Sequence, residues 1–385
     1  GPLFVRYPQV YFGENSPEFS IVGTKTIELD RPQEGRSFAK HDYAGGRGVP
    51  IDGLVPRLLF ATRFWDLRLA LTTLLGDDSR ILFHRNVRDR VKRVVPFLEV
   101  DSDPYPVAAD GRIKWVIDCY TTSDMMPYSK RVNLGDLSQV FQGKQEDSGI
   151  IPAEFIRLLE RRTQRANYVR GSVKAIVDAY DGSVTLYVTD PDDKLLQAWR
   201  RAFPDAFTPV EEASAEIRAH FRYPQDQFQI QSVIWADYHM RAPDAYYARE
   251  GSWQIPQDAN FISLRRERAR PGHEQRNADL RPYWLKTRFP GEEDAEFAIV
   301  QPFSPESRNV LSGYLVGGSD GDRLGRLTSY EFAPDTTVVG PSQAQARIDQ
   351  DPRISAWMTL RMQSGSRVSR GKLLTVPLDN AVLYV

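Results

Sequence analysis

The stretch YPVAADGRIKWVIDCY, residues 105–120, decides the fold. Apolar and polar residues alternate on both sides of Asp110-Gly111, and the pattern returns around Asp181-Gly182, between Tyr168 to Tyr180 and Ser183 to Thr189. Asp-Gly between alternating runs predicts a two-residue hairpin turn, because both central positions of a type I′ turn need a positive φ. We therefore predict two β-hairpins in one antiparallel sheet.

Helical patterns lie on both sides of these hairpins. Upstream, apolar residues from Leu58 to Leu69 recur at helical spacing, and Ser79 is predicted to cap a second helix over Arg80 to Val95. Downstream, a helical block interrupted by prolines runs from Asp192 to about Met240, and short strands return from Tyr283 to the end around one helix. This mixed order favours an α+β fold over a doubly wound parallel sheet.

The predicted architecture is α+β, with mixed, largely antiparallel sheets built from hairpins, with packed helices, in two or three interlocked lobes. Its predicted divisions are a protease-cleavage scar at 1–2, the N-terminal strands, helices and first hairpin at 3–130, a mobile insertion at 131–150, the second hairpin and helical block at 151–260, and a strand-rich C-terminal lobe at 261–385.

The composition excludes several classes of protein. Hydrophobic residues make up 41% of the 385 residues and aromatic residues 11%, which is enough to build a core. Fifty basic residues against fifty-one acidic ones give a net charge of -1, so no global field attracts a nucleic acid, and no nucleic-acid partner is predicted. The single Cys119 excludes an intramolecular disulfide and a C-x-x-C zinc motif.

No segment of the sequence is predicted to span a membrane. The most apolar stretch, Leu54 to Leu75, is interrupted by Arg57, Arg63 and Arg68, whereas a spanning helix needs about 20 predominantly apolar residues. The chain also begins with Gly1-Pro2, without an initiator methionine or a signal peptide. We interpret it as an excised piece of a longer protein.

Short motifs follow one another in a consistent order: Tyr11-Phe-Gly-Glu14, Asp101-Ser-Asp-Pro-Tyr105, Asp118-Cys-Tyr-Thr-Thr-Ser123, Asn167-Tyr-Val-Arg170, Asp178-Ala-Tyr-Asp-Gly182 and Leu383-Tyr-Val385. Together they resemble the uncharacterised bacterial protein family numbered 0182 in the UPF series, over about residues 8–385. The resemblance implies a set of transmembrane helices upstream, which the domain would accompany in the full-length protein. It also implies a position on the extracytoplasmic side of the cell membrane, and it implies no reaction.

Four aspartates cluster around the first predicted hairpin: Asp101, Asp103, Asp118 and Asp124. Carboxylates are ligands that Ca²⁺ prefers, although Pro106 and Arg112 stand where an EF-hand loop needs glycine and glutamate. The same aspartates are candidates for an acid and base pair that hydrolyses an envelope glycan. Turn formation and strand-end capping are the alternative roles.

Aromatic side chains and one histidine form the second set of candidate site residues: Trp115, Tyr120, Tyr128, Trp235, Tyr238, His239, Tyr246, Tyr247 and Trp253. Tyrosine and tryptophan in proline-rich segments can line a groove that binds glycan, lipid or peptide. Packing in the core is the alternative role for these side chains.

Three functions remain open at this point. The first is a non-enzymatic extracytoplasmic domain that binds a partner protein, a lipid or a polymer such as a glycan, in envelope assembly or transport. The second is a hydrolase of envelope material that uses the aspartates near the first hairpin. The third is a calcium-stabilised scaffold in a homo-oligomer.

Overall fold

The structure, a computed structural model, describes residues 5–26, 28–32, 38–129, 131–133, 165–257, 280–306, 308–333, 335–362, 368, 371–378 and 381–385. The chain divides into two compact units, one formed by residues 1–123 and 168–220 and the other by residues 124–167 and 221–385. Apart from residues 131–133, the predicted insertion at 131–150 lies outside the described residues, as does the whole of 151–164.

The first unit contains a three-stranded sheet, a six-stranded sheet and a separate strand pair. Its strands are β1 (Phe19–Thr24), β2 (Glu28–Pro32), β3 (Phe38–His41), β4 (Val49–Pro50), β5 (Leu75–Phe83), β6 (Glu99–Val100), β7 (Tyr105–Ala109), β8 (Arg112–Ser123), β11 (Tyr168–Asp178), β12 (Val184–Val188) and β13 (Thr208–Pro209). Its helices are α1 (Leu54–Phe64), α2 (Arg68–Leu71), α3 (Val87–Val94), α4 (Lys194–Ala202) and α5 (Ala215–Ala219).

The two predicted hairpins are confirmed, and they share one sheet. The strand order is β13-β12-β11-β8-β6, with β7 also paired to β8, and β8 and β11 pair antiparallel from Lys114–Asp178 to Ser123–Tyr168. The middle residues of β8 and β11 are buried without interruption, so both faces of the sheet are covered there. These two strands form the buried centre of the six-stranded sheet.

The two turns differ in geometry. Asp110 and Gly111 have φ angles of 52° and 69°, as a type I′ turn requires. In the second hairpin, Gly182 has a φ of 71° but Asp181 is not in the left-handed region, and Gly182 N–H donates to the Asp178 carbonyl at 2.9 Å. The second connection is therefore a longer loop than predicted, because the Asp178 carboxylate accepts from the backbone N–H groups of Tyr180 and Asp181.

Replacing Gly182 by alanine is expected to lower the free energy of unfolding by about 2–3 kcal/mol, from the left-handed backbone and from crowding in a packed core. A Cβ atom at this position would lie 2.6–2.7 Å from the buried Phe12 ring. Gly111 is the matched control, because it has a similar φ while the nearest atom to an added Cβ is 3.9 Å away. Urea denaturation of both variants checks this, and equal losses would contradict the steric account.

The predicted helix over Arg80 to Val95 is wrong in its first half. Residues Leu75–Phe83 form β5, which pairs with β1, and Ser79 is buried there with its hydroxyl donating to the Gly23 carbonyl at 2.8 Å. The helix begins only at Val87, where the Asn86 side chain accepts from Arg88 and Asp89 N–H. Ser79 was mistaken for a cap because serine satisfies backbone groups in turns and strands as well.

The second unit contains a five-stranded sheet and three strand pairs. Its strands are β9 (Val132–Asn133), β10 (Arg165–Ala166), β14 (Trp253–Gln254), β15 (Tyr283–Thr287), β16 (Glu296–Pro305), β17 (Val310–Leu311), β18 (Gly313–Gly318), β19 (Leu327–Glu331), β20 (Val338–Val339), β21 (Thr375–Leu378) and β22 (Ala381–Tyr384). Its helices are α6 (Gln225–Tyr238), α7 (Pro243–Ala248), α8 (Pro341–Gln350) and α9 (Pro352–Arg361).

The α+β class is confirmed by mostly antiparallel sheets packed with helices. The single C-terminal helix predicted near 343–362 is two helices, because the Asp351 side chain caps α9 at the point where Pro352 begins it. Among the described residues, no helix has the length and apolar character that crossing a bilayer requires.

Candidate functional site

Two of the four predicted aspartates meet in a buried polar network of the first unit. Asp118 lies on β8 opposite Lys174 on β11, and the two form an ion pair in which both side chains are about 5% exposed. Asp101 is 1% exposed, accepts a hydrogen bond from the Tyr120 hydroxyl and accepts one from Asp103 N–H at 2.9 Å. The four side chains of Asp101, Asp118, Tyr120 and Lys174 are called the buried network below.

The buried network contains an ion pair that is shielded from solvent. Burial raises the pKa of Asp118 to about 6, and the Lys174 ammonium acts against this rise. A carboxylate removed from water needs such a partner, since an unpaired buried charge is strongly unfavourable. Asp101 and Asp118 therefore have partners inside the first unit, and neither carboxylate is exposed to solvent.

Of the other two aspartates, Asp103 contacts Asp101 through its backbone N–H, and Asp124 lies elsewhere. Asp103 follows Asp101 in the same loop, and Asp124 belongs to the second unit, where it is exposed and its carbonyl accepts from Arg131. Within the described parts of the chain, no three acidic, histidine or cysteine side chains are grouped closely enough to hold a metal ion.

Asp193 is a buried aspartate that the sequence did not single out. Its carboxylate accepts from the Thr121 and Ser172 hydroxyls at 2.5 Å, from the Tyr168 hydroxyl at 2.9 Å and from Leu195 N–H at 3.0 Å. Burial opposes its ionisation, but these hydrogen bonds outweigh burial and lower its pKa. One side chain thus caps α4 and ties it to β8 and β11.

The predicted aromatic residues separate into packed and exposed side chains. Tyr120 is buried and Trp115 is half-buried, with its indole N–H donating to the Phe12 carbonyl at 3.0 Å. In the second unit, His239 stacks on Trp253 with ring centroids 3.9 Å apart, and Trp253 is itself buried. These four side chains pack inside the units.

Other aromatic side chains of the second unit lie at its surface. Tyr238 contacts Tyr246 at 5.5 Å, Tyr246 contacts Tyr247 at 5.9 Å, and both Tyr238 and Tyr247 are exposed. Tyr128 is fully exposed, whereas the half-buried Trp235 donates its indole N–H to the Ser329 hydroxyl. The surface tyrosines 238, 246 and 247 are the part of the predicted set that the structure brings together.

The largest group of exposed apolar side chains lies on α1, α2 and the segments beside them. Their exposure runs from 47% for Leu58 to 94% for Trp65. The group, called the apolar platform below, consists of Leu54, Val55, Leu58, Leu59, Trp65, Leu67, Leu71 and Leu74. These eight side chains are close in sequence, lying on two successive short helices and the residues beside them.

The platform exists because α1 is apolar on two opposite faces. Phe60, Ala61 and Phe64 face inward, where Phe64 stacks on Phe19 at 4.6 Å and Phe60 contacts Phe83 at 5.7 Å. The platform residues of α1 recur one and four positions apart on the other face. α1 therefore carries exposed apolar side chains on the face opposite the one that packs inward.

Charged residues inside the segment 54–74 are mostly basic, whereas Asp52, Asp77 and Asp78 flank it. Residues 54–74 contain three arginines and one carboxylate, Asp66, which pairs with Arg68 at 2.8 Å. Arg57 donates to the Ile51 carbonyl at 2.9 Å, and the Arg63 guanidinium lies 5.5 Å from the centre of the Phe83 ring. Each of the three arginines therefore has a defined contact within the first unit.

Comparison with known proteins gives a consistent result. A model of an uncharacterised protein family, UPF0182, matches residues 1–361. The chain is 37% identical over 382 residues to a UPF0182 protein of Geobacter sulfurreducens, covering 99% of this chain and 37% of that protein. It is 37% identical over 383 residues to one of Methanospirillum hungatei, covering 100% and 38%, and 35% identical over 384 residues to one of Trichodesmium erythraeum, covering 100% and 39%.

The chain thus spans less than two fifths of the length of these relatives. No solved structure is significantly similar to it.

Proposed function

This chain belongs to the uncharacterised protein family UPF0182, and from that premise we propose that it is a non-enzymatic binding domain of a membrane protein, on the extracytoplasmic side of the cell membrane. The apolar platform is its binding surface, and the surface of the lipid bilayer is what it binds. The observation that carries this proposal is the exposure of eight large apolar side chains on α1, α2 and their flanks.

The composition of the platform favours lipid over protein. Six of its eight side chains are leucine, and one is valine. Leucine and valine contribute few of the energetically dominant contacts in protein interfaces, which rely on tyrosine, tryptophan and arginine. Acyl chains, in contrast, need only an aliphatic surface, with tryptophan and arginine at the level of the headgroups. The segment 54–74 contains one tryptophan, Trp65, and three arginines of the kind that lie at headgroup level.

The geometry favours a helix lying flat on the bilayer. α1 has 11 residues, and at 1.5 Å per residue its length is about 16 Å, roughly half of the ~30 Å hydrocarbon layer. Such a helix enters the boundary between headgroups and acyl chains with one face, to a depth of about 5–10 Å. The inner face stays anchored to the three-stranded sheet of β1, β5 and β4 through Phe60 and Phe64.

The expected binding energy is sufficient for a stable contact. Full burial of a leucine or valine side chain is worth about 1.5–3 kcal/mol, so each half-exposed to largely exposed side chain of the platform gains on the order of 1 kcal/mol. Charge attraction between arginine and anionic lipid adds to this and weakens with salt. The summed binding energy of the platform side chains exceeds the binding energy of a single exposed leucine elsewhere on the chain.

Replacing Leu59 and Leu71 by aspartate tests the proposal. Both side chains are exposed, at 64% and 80%, so the substitutions leave the core intact. We expect the wild-type chain to co-sediment with vesicles of equal parts phosphatidylglycerol and phosphatidylcholine, and the double variant to bind at least tenfold less. The variant loses two apolar contacts worth on the order of 1 kcal/mol each and turns two negative charges toward an anionic surface.

Leu360→Asp is the matched control, because Leu360 is 69% exposed on α9 of the second unit. This variant is expected to bind vesicles like the wild type. The proposal is wrong if the wild-type chain stays in the supernatant, or if the double variant and the control bind equally.

The hydrolase and calcium alternatives find less support in the described residues. Hydrolysis of a glycan needs two carboxyl groups facing each other across an open cleft, whereas Asp101 and Asp118 are buried with Tyr120 and Lys174 as partners. Calcium needs six to eight oxygen ligands. The two carboxylate oxygens of Asp101 already accept hydrogen bonds from Tyr120 and Asp103, so they are poorly placed to bind an ion as well.

A further inference from the structure

Strand β19 forms one edge of the five-stranded sheet in the second unit. The strand order is β14-β16-β18-β19, and β19 pairs with β18 from Gly313–Glu331 to Gly317–Leu327 without a bulge. No other described strand pairs with it. An edge strand presents unpaired N–H and C=O groups, which are a template for a further strand.

The register decides which groups of β19 point outward. Phe332 N–H donates to the Ser312 carbonyl, and Gly318 N–H donates to the Arg326 carbonyl. Because inward and outward residues alternate in an antiparallel ladder, the backbone groups of Leu327, Ser329 and Glu331 point away from β18.

The other described edges of the larger sheets are less suitable for pairing. β6, β13 and β14 have two residues each, and β7, which has five, contains Pro106. β15 has five, but the Tyr283 hydroxyl at its start donates to the Thr375 carbonyl of β21 at 2.7 Å, which holds the terminal hairpin beside it. β19 has five residues, contains no proline, and ends with its one charged residue, Glu331. Apart from Glu331, it therefore lacks the features with which proteins usually protect a sheet edge.

A cavity of about 500 Å³ lies beside β19 in the same unit. Tyr330 and Phe332 line one side of it, and Val338, Val339, Val382 and Tyr384 belong to the rest of its wall. The volume and the largely apolar lining are those of a site for an apolar group.

From these two features together we infer that β19 binds an extended peptide, which pairs with its outward backbone groups and places an apolar side chain in the neighbouring cavity. Main-chain hydrogen bonds give such complexes their affinity, and pockets for alternate side chains give them selectivity. The partner is therefore a segment of protein in which apolar residues alternate with polar ones. Glu331, exposed at the end of the strand, favours a basic residue on the partner at that end.

A synthetic peptide of known sequence tests the inference. The probe is acetyl-Lys-Thr-Val-Thr-Val-Thr-Val-Thr-Lys-amide, with two derivatives N-methylated either at the three valines or at the four threonines. Only one set of N–H groups faces β19 when the valines face the cavity, since side chains and backbone groups both alternate along a strand. We expect one derivative to lose binding at least tenfold and the other to stay within threefold of the parent.

Two variants of the chain give an independent check. Glu331→Pro removes an outward N–H without breaking a bond to β18, and Ala333→Trp fills the cavity from an exposed position on its wall. Each is expected to weaken the parent peptide at least tenfold, whereas Glu331→Ala keeps the N–H and is expected to bind within threefold of the wild type. Unchanged melting curves show that the fold is kept.

The inference is overturned by any of three results. The parent peptide does not bind at millimolar concentration, the two methylated derivatives bind equally, or the proline and tryptophan variants bind the parent as the wild type does. None of these results bears on the platform, which lies in the other unit.

Discussion

Replacement of Lys174 by methionine is expected to lower the free energy of unfolding by about 3–5 kcal/mol, the usual cost of removing one partner of a buried ion pair. Lys174 is 4% exposed and contacts the Asp118 carboxylate, which is itself 5% exposed. Methionine is similar in volume, so little of the effect comes from a cavity. What remains is a carboxylate without its cation in the centre of the six-stranded sheet.

The loss should depend on pH in a defined direction. Burial raises the pKa of Asp118 to about 6 in the folded chain, from an ordinary value of 3.8, so the folded state holds this proton more tightly than the unfolded state does. Stability therefore falls as pH rises through this range. Without Lys174 the pKa rises further, and the deficit of the variant should widen as pH increases above 6, because only ionised Asp118 needs the ammonium.

The double variant Lys174→Met/Asp118→Leu provides the control. It removes both charges, and replacing a buried ion pair by apolar side chains is often neutral. We expect it to recover most of the stability and to lose the pH dependence, as measured by urea denaturation at pH 5.5 and pH 8. A single variant that loses less than about 1 kcal/mol, against the 3–5 expected of a buried pair, would show that Asp118 is not held by Lys174.

Replacement of Asp193 by alanine is expected to have the second largest effect, a loss of about 3–4 kcal/mol, the sum of a lost helix cap and of buried hydroxyls left without an acceptor. Thr121 and Ser172 are 1% and 0% exposed, and both donate to this carboxylate. The pKa of Asp193 is lowered in the fold, so its contribution is present at neutral pH and lost as pH falls through the folded value.

Asparagine at position 193 separates the two parts of this effect. Its side-chain oxygen can still cap α4, whereas its uncharged amide accepts more weakly from the hydroxyls. Asp193→Asn should therefore lose clearly less stability than Asp193→Ala in thermal denaturation at pH 7. Equal losses would mean that the charge, and not the cap, accounts for the role of Asp193.

Local patterns predicted the sheet well. Asp110-Gly111 and Asp181-Gly182 mark two real hairpins, and the prediction that they share one sheet is confirmed by the pairing of β8 with β11. The alternation of apolar and polar residues predicts these strands, because successive side chains of a strand point to opposite faces of the sheet. The Ser79 helix failed because capping residues also occur in strands.

Three of the four residues of the buried network were singled out in the sequence. Asp101, Asp118 and Tyr120 were candidate site residues, but Lys174 was not, although Asp118 and Lys174 are both charged residues inside otherwise apolar stretches of strand. Opposite charges in two adjacent buried strands are a signal for an ion pair, and the register needed to see it came only from the structure. Asp193 gives no such signal, because its partners are uncharged hydroxyls from distant positions.

The helical spacing of the platform segment was predicted from the sequence, but the exposure of its side chains was not. The spacing from Leu58 to Leu69 predicted one helix, whereas the structure has two, α1 and α2, because the chain turns at Trp65, which has a φ of 52°. Among the apolar residues at this spacing, Ala61 and Leu69 are buried, but Leu58, Leu59 and Trp65 are exposed. Apolar residues at helical spacing define one face of a helix, and that face is normally expected to pack against the core. Exposure of the opposite face is a property of the packed unit, so the sequence could not show it.

The most direct test of the bilayer contact uses a single label on the platform. Cys119, the one cysteine, is buried, so a cysteine introduced at Leu58 is the accessible thiol and can carry an environment-sensitive fluorophore. Ser355→Cys on the exposed helix α9 serves as the reference position. Both labelled chains are mixed with anionic vesicles that contain lipids brominated near the top of the acyl chain.

We predict that the label at residue 58 shifts to shorter wavelength and is quenched by the brominated lipid, while the label at residue 355 does neither. Quenching at this depth reports insertion of about 5–10 Å, where the apolar face of an interfacial helix lies. If residue 58 responds no more than residue 355, the platform does not enter the bilayer and the proposed function is contradicted.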